Sequence, residues 1–202
     1  MALPKGENPN RPDKGSTTKV EPIRDVKAIR RIKKVLADNP RDLCLFTLGV
    51  NTAYRANEIL SIKVNQVEHL QDGDLLDIKQ RKTKKYRSVT INKVVIDAID
   101  NWLKIYPGDF EDGYLFLSQR GQDALSVPYV NNLVKAWCQN AGLKGNYGSH
   151  SLRKTWGYHQ RTQKNAPVPL LMEAYGHTTQ KQTLDYLCIQ AEEIRDLYNL
   201  EL

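Results

Sequence analysis

The stretch Leu171-Met-Glu-Ala-Tyr-Gly-His-Thr-Thr-Gln-Lys-Gln-Thr-Leu-Asp-Tyr186 predicts two short helices, over 169–175 and 180–186, with Gly176-His177 between them. The chain has ten tyrosines, and the usual role of any one is an amphipathic residue at the edge of a core. Tyr175, beside Gly176-His177, fits that packing role. Tyr186 differs, because it stands on a short polar helix near the end of the chain. A free phenol has a pKa of about 10, so only about 0.1% is phenolate at neutral pH, and attack by it needs a base and a cationic surround.

Both lie upstream. His150-Ser-Leu-Arg153 places a histidine and an arginine three residues apart, on one face of a helix begun there, and a second arginine waits at Ala53-Tyr-Arg55. Two guanidiniums suit the planar, bidentate grip of a phosphate, imidazoles move protons near neutrality, and a phenol is a nucleophile that keeps a phosphoryl group covalently. The set therefore suits attack on a phosphodiester. Simpler roles stay open: an ion pair of Arg55 with Glu58, and structural histidines bonded to backbone carbonyls. Zinc is disfavoured, since there is no H-E-x-x-H, no helical H-x-x-x-H pair and no cysteine cluster.

In this order and at these separations, His150-x-x-Arg153, Gly176-His177 and a tyrosine nine residues after His177 resemble the C-terminal signature of the tyrosine recombinases, the phage integrase family. The stretch from Leu171 to Tyr186 is similar to that family's run from its second histidine to its nucleophile. Arg55-x-x-Glu58 matches its first arginine motif, with Ala53 where the family usually has glycine. The resemblance covers roughly residues 23 to 202, the family's catalytic domain.

Composition agrees with that class. The chain has 202 residues, 40% hydrophobic and 26% charged, enough for one sizeable core. A net charge of +7 favours a polyanionic partner through counterion release. Cys44, Cys138 and Cys188 are far apart and odd in number, which supports neither a disulfide framework nor a zinc knuckle. No apolar run approaches a membrane span and no signal peptide is evident, so a cytoplasmic, nucleoid-associated protein is expected.

Residues 1–22 are rich in Pro, Gly, Asn and Lys and are expected to form a flexible basic tail. Residues 23–202 are then expected to form the catalytic domain that the resemblance implies, with no separate core-binding domain. A helix over 23–38 has Val26, Ile29, Ile32 and Leu36 inward and a basic outer face including Arg30 and Lys34. Asn39-Pro40 caps a second, largely buried helix that delivers Arg55. From Asp74 the apolar period changes to two, giving a hairpin around Gln80-Arg-Lys-Thr-Lys-Lys85. A helix over 94–106, a short strand over 114–117, a helix over 126–141 and helices over 151–162 and 191–200 complete the chain. The expected fold is mainly α with a small antiparallel β-sheet.

The resemblance implies the roles. Arg55 and Arg153 neutralise the scissile phosphate, and His150 handles the proton of the attacking group. His177 hydrogen-bonds the phosphate or buttresses the nucleophile, and Tyr186 forms a 3′-phosphotyrosyl bond. A lysine of the hairpin protonates the leaving 5′-oxygen; Lys82 is the best match, with Lys84 in reserve. Arg81, Lys84, Lys85, Arg87, Arg30 and Lys34 are the candidate DNA contacts. The resemblance implies no cofactor, neither metal nor nucleotide, and no membrane. It implies double-stranded DNA at a specific site as partner, a homotetramer on synapsed DNA, and a C-terminal helix that docks on a neighbouring subunit. Relaxation of supercoils in the manner of a type IB topoisomerase, and an inactive DNA-binding accessory protein, are the alternatives.

Overall fold

Side-chain caps decide where the first helices begin. In a computed structural model that describes residues 19–79, 86–118, 123–199 and 201, the Asp25 carboxylate accepts from the Lys27 N–H (2.8 Å) and opens α1, Val26–Val35. Asn39 accepts from the Asp42 N–H (3.1 Å) and Pro40 fills the first turn of α2, Pro40–Asn51, as the sequence predicts. This helix is buried nearly all round, through Cys44, Leu45, Phe46, Thr47, Leu48 and Gly49. It packs against α4, Lys93–Leu103, and α6, Ser149–Lys164.

Ser126 caps α5, Val127–Asn140, with Pro128 in its first turn. Asn131 of α5 in turn accepts from the Ser149 N–H (3.1 Å), so one helix caps the next and fixes where His150 leaves the backbone. Between α2 and α4 lie α3, Ala56–Ile59, a 3-10 turn at Val64–Gln66, and the two-stranded antiparallel sheet of β1, Leu75–Lys79, and β2, Tyr86–Thr90. The register runs from Leu75↔Thr90 to Lys79↔Tyr86, with Leu76 and Ile78 buried. Three short helices end the chain: α7, Val168–Tyr175; α8, Gln180–Leu187; and α9, Gln190–Leu197.

Two expectations are corrected. Residues 114–117 make no strand; Tyr114 and Leu117 form isolated bridges to Lys63 and Ala124, because each meets a different segment. Part of the expected tail is docked: the Glu21 N–H donates to the Asn146 carbonyl (2.8 Å), and Asn146 Nδ2 to the Lys19 carbonyl (3.1 Å). Among the described residues, no helix is long and apolar enough to cross a membrane.

Two glycines set the approach of the site-bearing helices. A Cβ on Gly49 would lie 2.5 Å from Leu152 Cδ1, so α2 and α6 meet backbone to side chain, which brings Arg55 and Arg153 within reach of one another. A Cβ on Gly157 would lie 1.8 Å from Tyr175 Oη and 2.8 Å from Leu187 Cδ2. That second contact joins α6 to a small separate apolar cluster of Ala53, Leu171, Tyr175, Leu187 and Ile189, against which Tyr186 is packed. Gly157→Ala is expected to lower stability by about 1–3 kcal/mol through overpacking. The midpoint of chemical unfolding measures it, and an unchanged midpoint would show that α6 and α7 have room to separate.

Candidate active site

Arg55 is the N-cap of α3, with extended backbone (φ −76°, ψ 156°). Its N–H donates to Glu58 Oε2 (2.6 Å) and its Nη1 to Glu58 Oε1 (3.0 Å), so the expected ion pair exists. Buried Glu58 is shared, however: its Oε2 lies 3.7 Å from Nη1 of Arg153. Ala53, two residues before Arg55, has no positive φ, so the departure from glycine carries no backbone strain.

Arg153 is 2% exposed. Its Nη2 donates to the Tyr175 carbonyl (2.6 Å), its guanidinium carbon sits 4.8 Å from the centre of the Tyr175 ring, and Tyr175 Oη donates back to the Arg153 carbonyl (3.0 Å). Its Nη1 is buried with no hydrogen-bond acceptor among the described residues. Burial, and then Arg55 and Arg87, push its pKa down to about 10, against the opposing pull of Tyr186 and Glu58. Arg87, expected on the basic surface of the hairpin, turns inward: Nη1 donates to the Ala53 carbonyl (3.1 Å) and Nη2 to the Tyr175 carbonyl (3.0 Å).

Gly176 ends α7 in the left-handed conformation (φ 65°). The Gly176 N–H donates to the Glu173 carbonyl (3.0 Å) and the His177 N–H to the Met172 carbonyl (2.9 Å), the paired closure of a Schellman stop. His177 is thereby turned back over Tyr175, with ring centroids 5.0 Å apart and planes at 26°, and edge-on to Tyr186 at 5.3 Å. Its Nδ1 lies 3.0 Å from Thr183 Oγ1. Burial first, then the three arginines, lower its pKa to about 4.

Tyr186 projects from α8. Its Oη is 3.4 Å from His150 Nδ1, a long contact of the kind common before substrate is bound. Burial raises the phenol's pKa, and Arg153 and Arg55 pull it down without cancelling the rise. The imidazole of His150 is held below its ordinary pKa by desolvation, then by Arg153, Lys154 and Arg55. Lys154, one helical turn after His150, is buried; its Nζ lies 5.0 Å from the centre of the Tyr186 ring and donates to Cys188 Sγ (3.3 Å). Cys188 closes α8 in a left-handed conformation (φ 60°), and Arg24 Nη2 donates to its carbonyl (3.0 Å). His150, Lys154 and Tyr186 open onto a cleft of about 850 Å³, rimmed also by Lys19, Asn131 and Lys181.

The structure thus brings together Arg55, His150, Arg153, His177 and Tyr186. Arg30 and Lys34 are exposed on α1. Lys82, Arg81, Lys84 and Lys85 lie outside the described residues.

A sequence profile described as the phage integrase family matches residues 24–193. The chain belongs to the phage integrase family, the tyrosine recombinases. It is 31% identical over 185 residues to the probable integrase/recombinase YoeC of Bacillus subtilis (strain 168), covering 90% of this chain and 96% of that one. The fold is that of the XerA recombinase crystal structure (TM-score 0.73, 19% identity, 89% of this chain and 65% of that). It is also that of the XerH site-specific recombinase in its post-cleavage complex with difH (TM-score 0.71, 22% identity, 90% and 53%). This chain therefore spans nearly all of YoeC but about half of the XerH chain.

Two neighbours of this tyrosine recombinase's site were not foreseen. Lys154 carried a signal, since it lies four residues after His150 and so on the same helical face. Thr183 carried only its place one turn before Tyr186.

The depressed pKa of His177 has a sign. The unfolded chain takes this proton first as pH falls, so the stability that depends on the neutral imidazole is complete above about pH 6.5 and is lost as pH falls towards about 4. The denaturation midpoint is expected to decline across that interval, and His177→Gln, which does not titrate, should flatten the decline. Equal slopes in the two proteins would place the imidazole in an ordinary solvated setting.

Proposed function

We propose that the chain is a site-specific DNA recombinase that cuts and rejoins DNA through a 3′-phosphotyrosyl intermediate. The observation that carries the reading is Nη1 of Arg153, a buried cationic N–H with no hydrogen-bond acceptor among the described residues beyond the 3.7 Å ion pair to Glu58, in the cluster that holds Arg55, His177 and the Tyr186 phenol. A buried donor of this kind is costly unless it meets an acceptor, and a guanidinium beside a second arginine suits a non-bridging phosphate oxygen.

In the proposed step Tyr186 Oη attacks the scissile phosphorus and passes its proton to His150, and the bond from phosphorus to the 5′-oxygen breaks. Arg153, Arg55 and His177 take the charge of the five-coordinate state, and Lys82 supplies the proton to the departing 5′-oxygen. The product is a 3′-phosphotyrosine and a free 5′-hydroxyl. The 5′-hydroxyl of a partner duplex reverses the sequence and joins the exchanged strand. Every proton and charge in this scheme is met by a side chain, so no metal or nucleotide is required. Arg81, Lys84, Lys85, Arg30 and Lys34 contact DNA phosphates. Ile194 and Tyr198, 46% and 85% exposed at the end of the chain, support docking of α9 on a neighbouring subunit of a tetramer.

Tyr186→Phe should leave duplex binding intact and abolish the covalent adduct on nicked suicide DNA, while Arg153→Lys, which keeps charge but loses the planar grip, should slow cleavage by roughly two orders of magnitude or more. A denaturation-resistant adduct formed by Tyr186→Phe would put the nucleophile elsewhere.

The acid has its own test. A bridging 5′-phosphorothiolate leaves as a thiolate without needing a proton, so it should rescue Lys82→Ala cleavage far more than Arg153→Ala. Selective rescue of Lys84→Ala would move the assignment two residues along the hairpin.

A further inference from the structure

Three described threonines spend their hydroxyls in the same way. Thr52, Thr155 and Thr162 each donate to the carbonyl four residues earlier, those of Leu48 (2.8 Å), Ser151 (2.7 Å) and Tyr158 (2.8 Å). Thr183 does not. It is 0% exposed, on α8, and among the described residues the one hydrogen-bonding partner of its hydroxyl is Nδ1 of His177, at 3.0 Å. On the other edge of that imidazole, Nε2 has no protein partner among the described residues.

The direction of this bond follows from what each group can satisfy. A neutral imidazole has one donor and one acceptor nitrogen. If Nδ1 carried the proton, Thr183 would accept, and its own hydroxyl proton would be buried with nothing to receive it. If Thr183 donates, Nδ1 accepts, the hydroxyl is satisfied, and the imidazole proton is placed on Nε2. The neutral state is the relevant one near pH 7, because burial, and then the surrounding arginines, lower the ring's pKa to about 4. Thr183 also lies three residues before Tyr186, one turn away on the same helix. A single hydrogen bond therefore joins the histidine to the element that carries the nucleophile.

We propose that Thr183 is a positioning residue: by donating to His177 Nδ1 it fixes the Nε2–H tautomer as a hydrogen-bond donor to the scissile phosphate, and it ties that donor to the helix bearing Tyr186. The phosphate half rests on the proposed function; the tautomer half rests on the geometry alone. Displacement of α8 breaks the bond, so the donor is correctly set only while the tyrosine helix is seated.

The full chain, with Thr183→Val and Thr183→Ser variants, tests both halves. Long-range ¹H–¹⁵N spectra of the imidazoles at pH 7, with His177→Gln to assign the signal, should show His177 as the Nε2–H tautomer in the unsubstituted protein and in Thr183→Ser. In Thr183→Val the Nδ1–H form should appear. Single-turnover cleavage of suicide DNA should fall roughly 10–100-fold in Thr183→Val, by analogy with removal of the partner that orients a metal-bound histidine. It should recover in Thr183→Ser, with duplex affinity unchanged in both. Thermal melts separate this from unfolding, since a merely structural role would lower the melting temperature without changing the tautomer. An Nδ1–H tautomer in the unsubstituted protein, or the same tautomer in Thr183→Val, overturns the proposal. A changed tautomer with unchanged cleavage overturns the catalytic half. Absence of cleavage by the unsubstituted protein counts against the proposed function, and the spectra still decide what Thr183 does.

Discussion

The carbonyl of Tyr175 is where the site is anchored. Helices end with carbonyls that have no intrahelical donor, and those groups carry partial negative charge. The stop at Gly176 uses the carbonyls of Met172 and Glu173, and Tyr175's accepts from both Arg153 and Arg87. An arginine as buried as Arg153 would cost several kcal/mol without such compensation. Its compensation is spread over the Tyr175 carbonyl, the Tyr175 ring and Glu58, and the return bond from Tyr175 Oη to the Arg153 carbonyl makes the contact reciprocal. Removing the Cβ at position 157 is what lets that phenol approach α6.

The remaining geometry divides between two apolar clusters. The larger one holds α2, α4, α5 and Leu152 of α6, and so fixes the helices that present Arg55 and Arg153. The smaller one holds Tyr175, Leu187 and Ile189, with Tyr186 against it. The helices that present Arg55 and Arg153 and the helix that carries Tyr186 are therefore built on different packing units. They meet at Arg153 and Tyr175, at the contact of His150 with Tyr186, and at the clasp of Arg24 and Lys154 on Cys188. The bond between Thr183 and His177 lies within the second unit and reports how α8 is seated beside the end of α7.

What was legible in the sequence was whatever is decided locally. Asn39 with Pro40, and Ser126 with Pro128, announce helix starts because a cap needs only its own first turn. The alternation around Leu76 and Ile78 announced a strand for the same reason. Residues 114–117 misled because their partners, Lys63 and Ala124, lie in separate segments and no local signal distinguishes a bridge from a ladder. Arg87 stands among basic neighbours that point to a surface, yet it lies opposite buried Ile78 in the register, and cross-strand partners share a face. The period of two contained its inward direction; the run of cations hid it. For Arg55, the ordinary ion pair and the catalytic role were set as alternatives. The structure has the pair, and because Glu58 is shared with Arg153, the pair holds Arg55 at the site rather than removing it.

On the proposed chemistry, the protonation states of Tyr186 and His150 bear on how attack is restrained before a phosphate is seated. Tyr186 is held as a neutral phenol, chiefly by burial, and His150 as a neutral imidazole by desolvation and by Arg153, Lys154 and Arg55. Transfer of the proton within the free protein would create an imidazolium facing those same cations, which is the less favourable side of the equilibrium. On the proposed chemistry, a phosphate seated against Arg153 and Arg55 offsets their field at His150 and raises the basicity of the ring. The same negative charge disfavours a free phenolate, but the phenolate need never exist as such, because its charge passes to phosphorus as the new bond forms. On that chemistry the arginines act twice: without phosphate they hold down the basicity of His150, and with phosphate their charge is spent on the transition state.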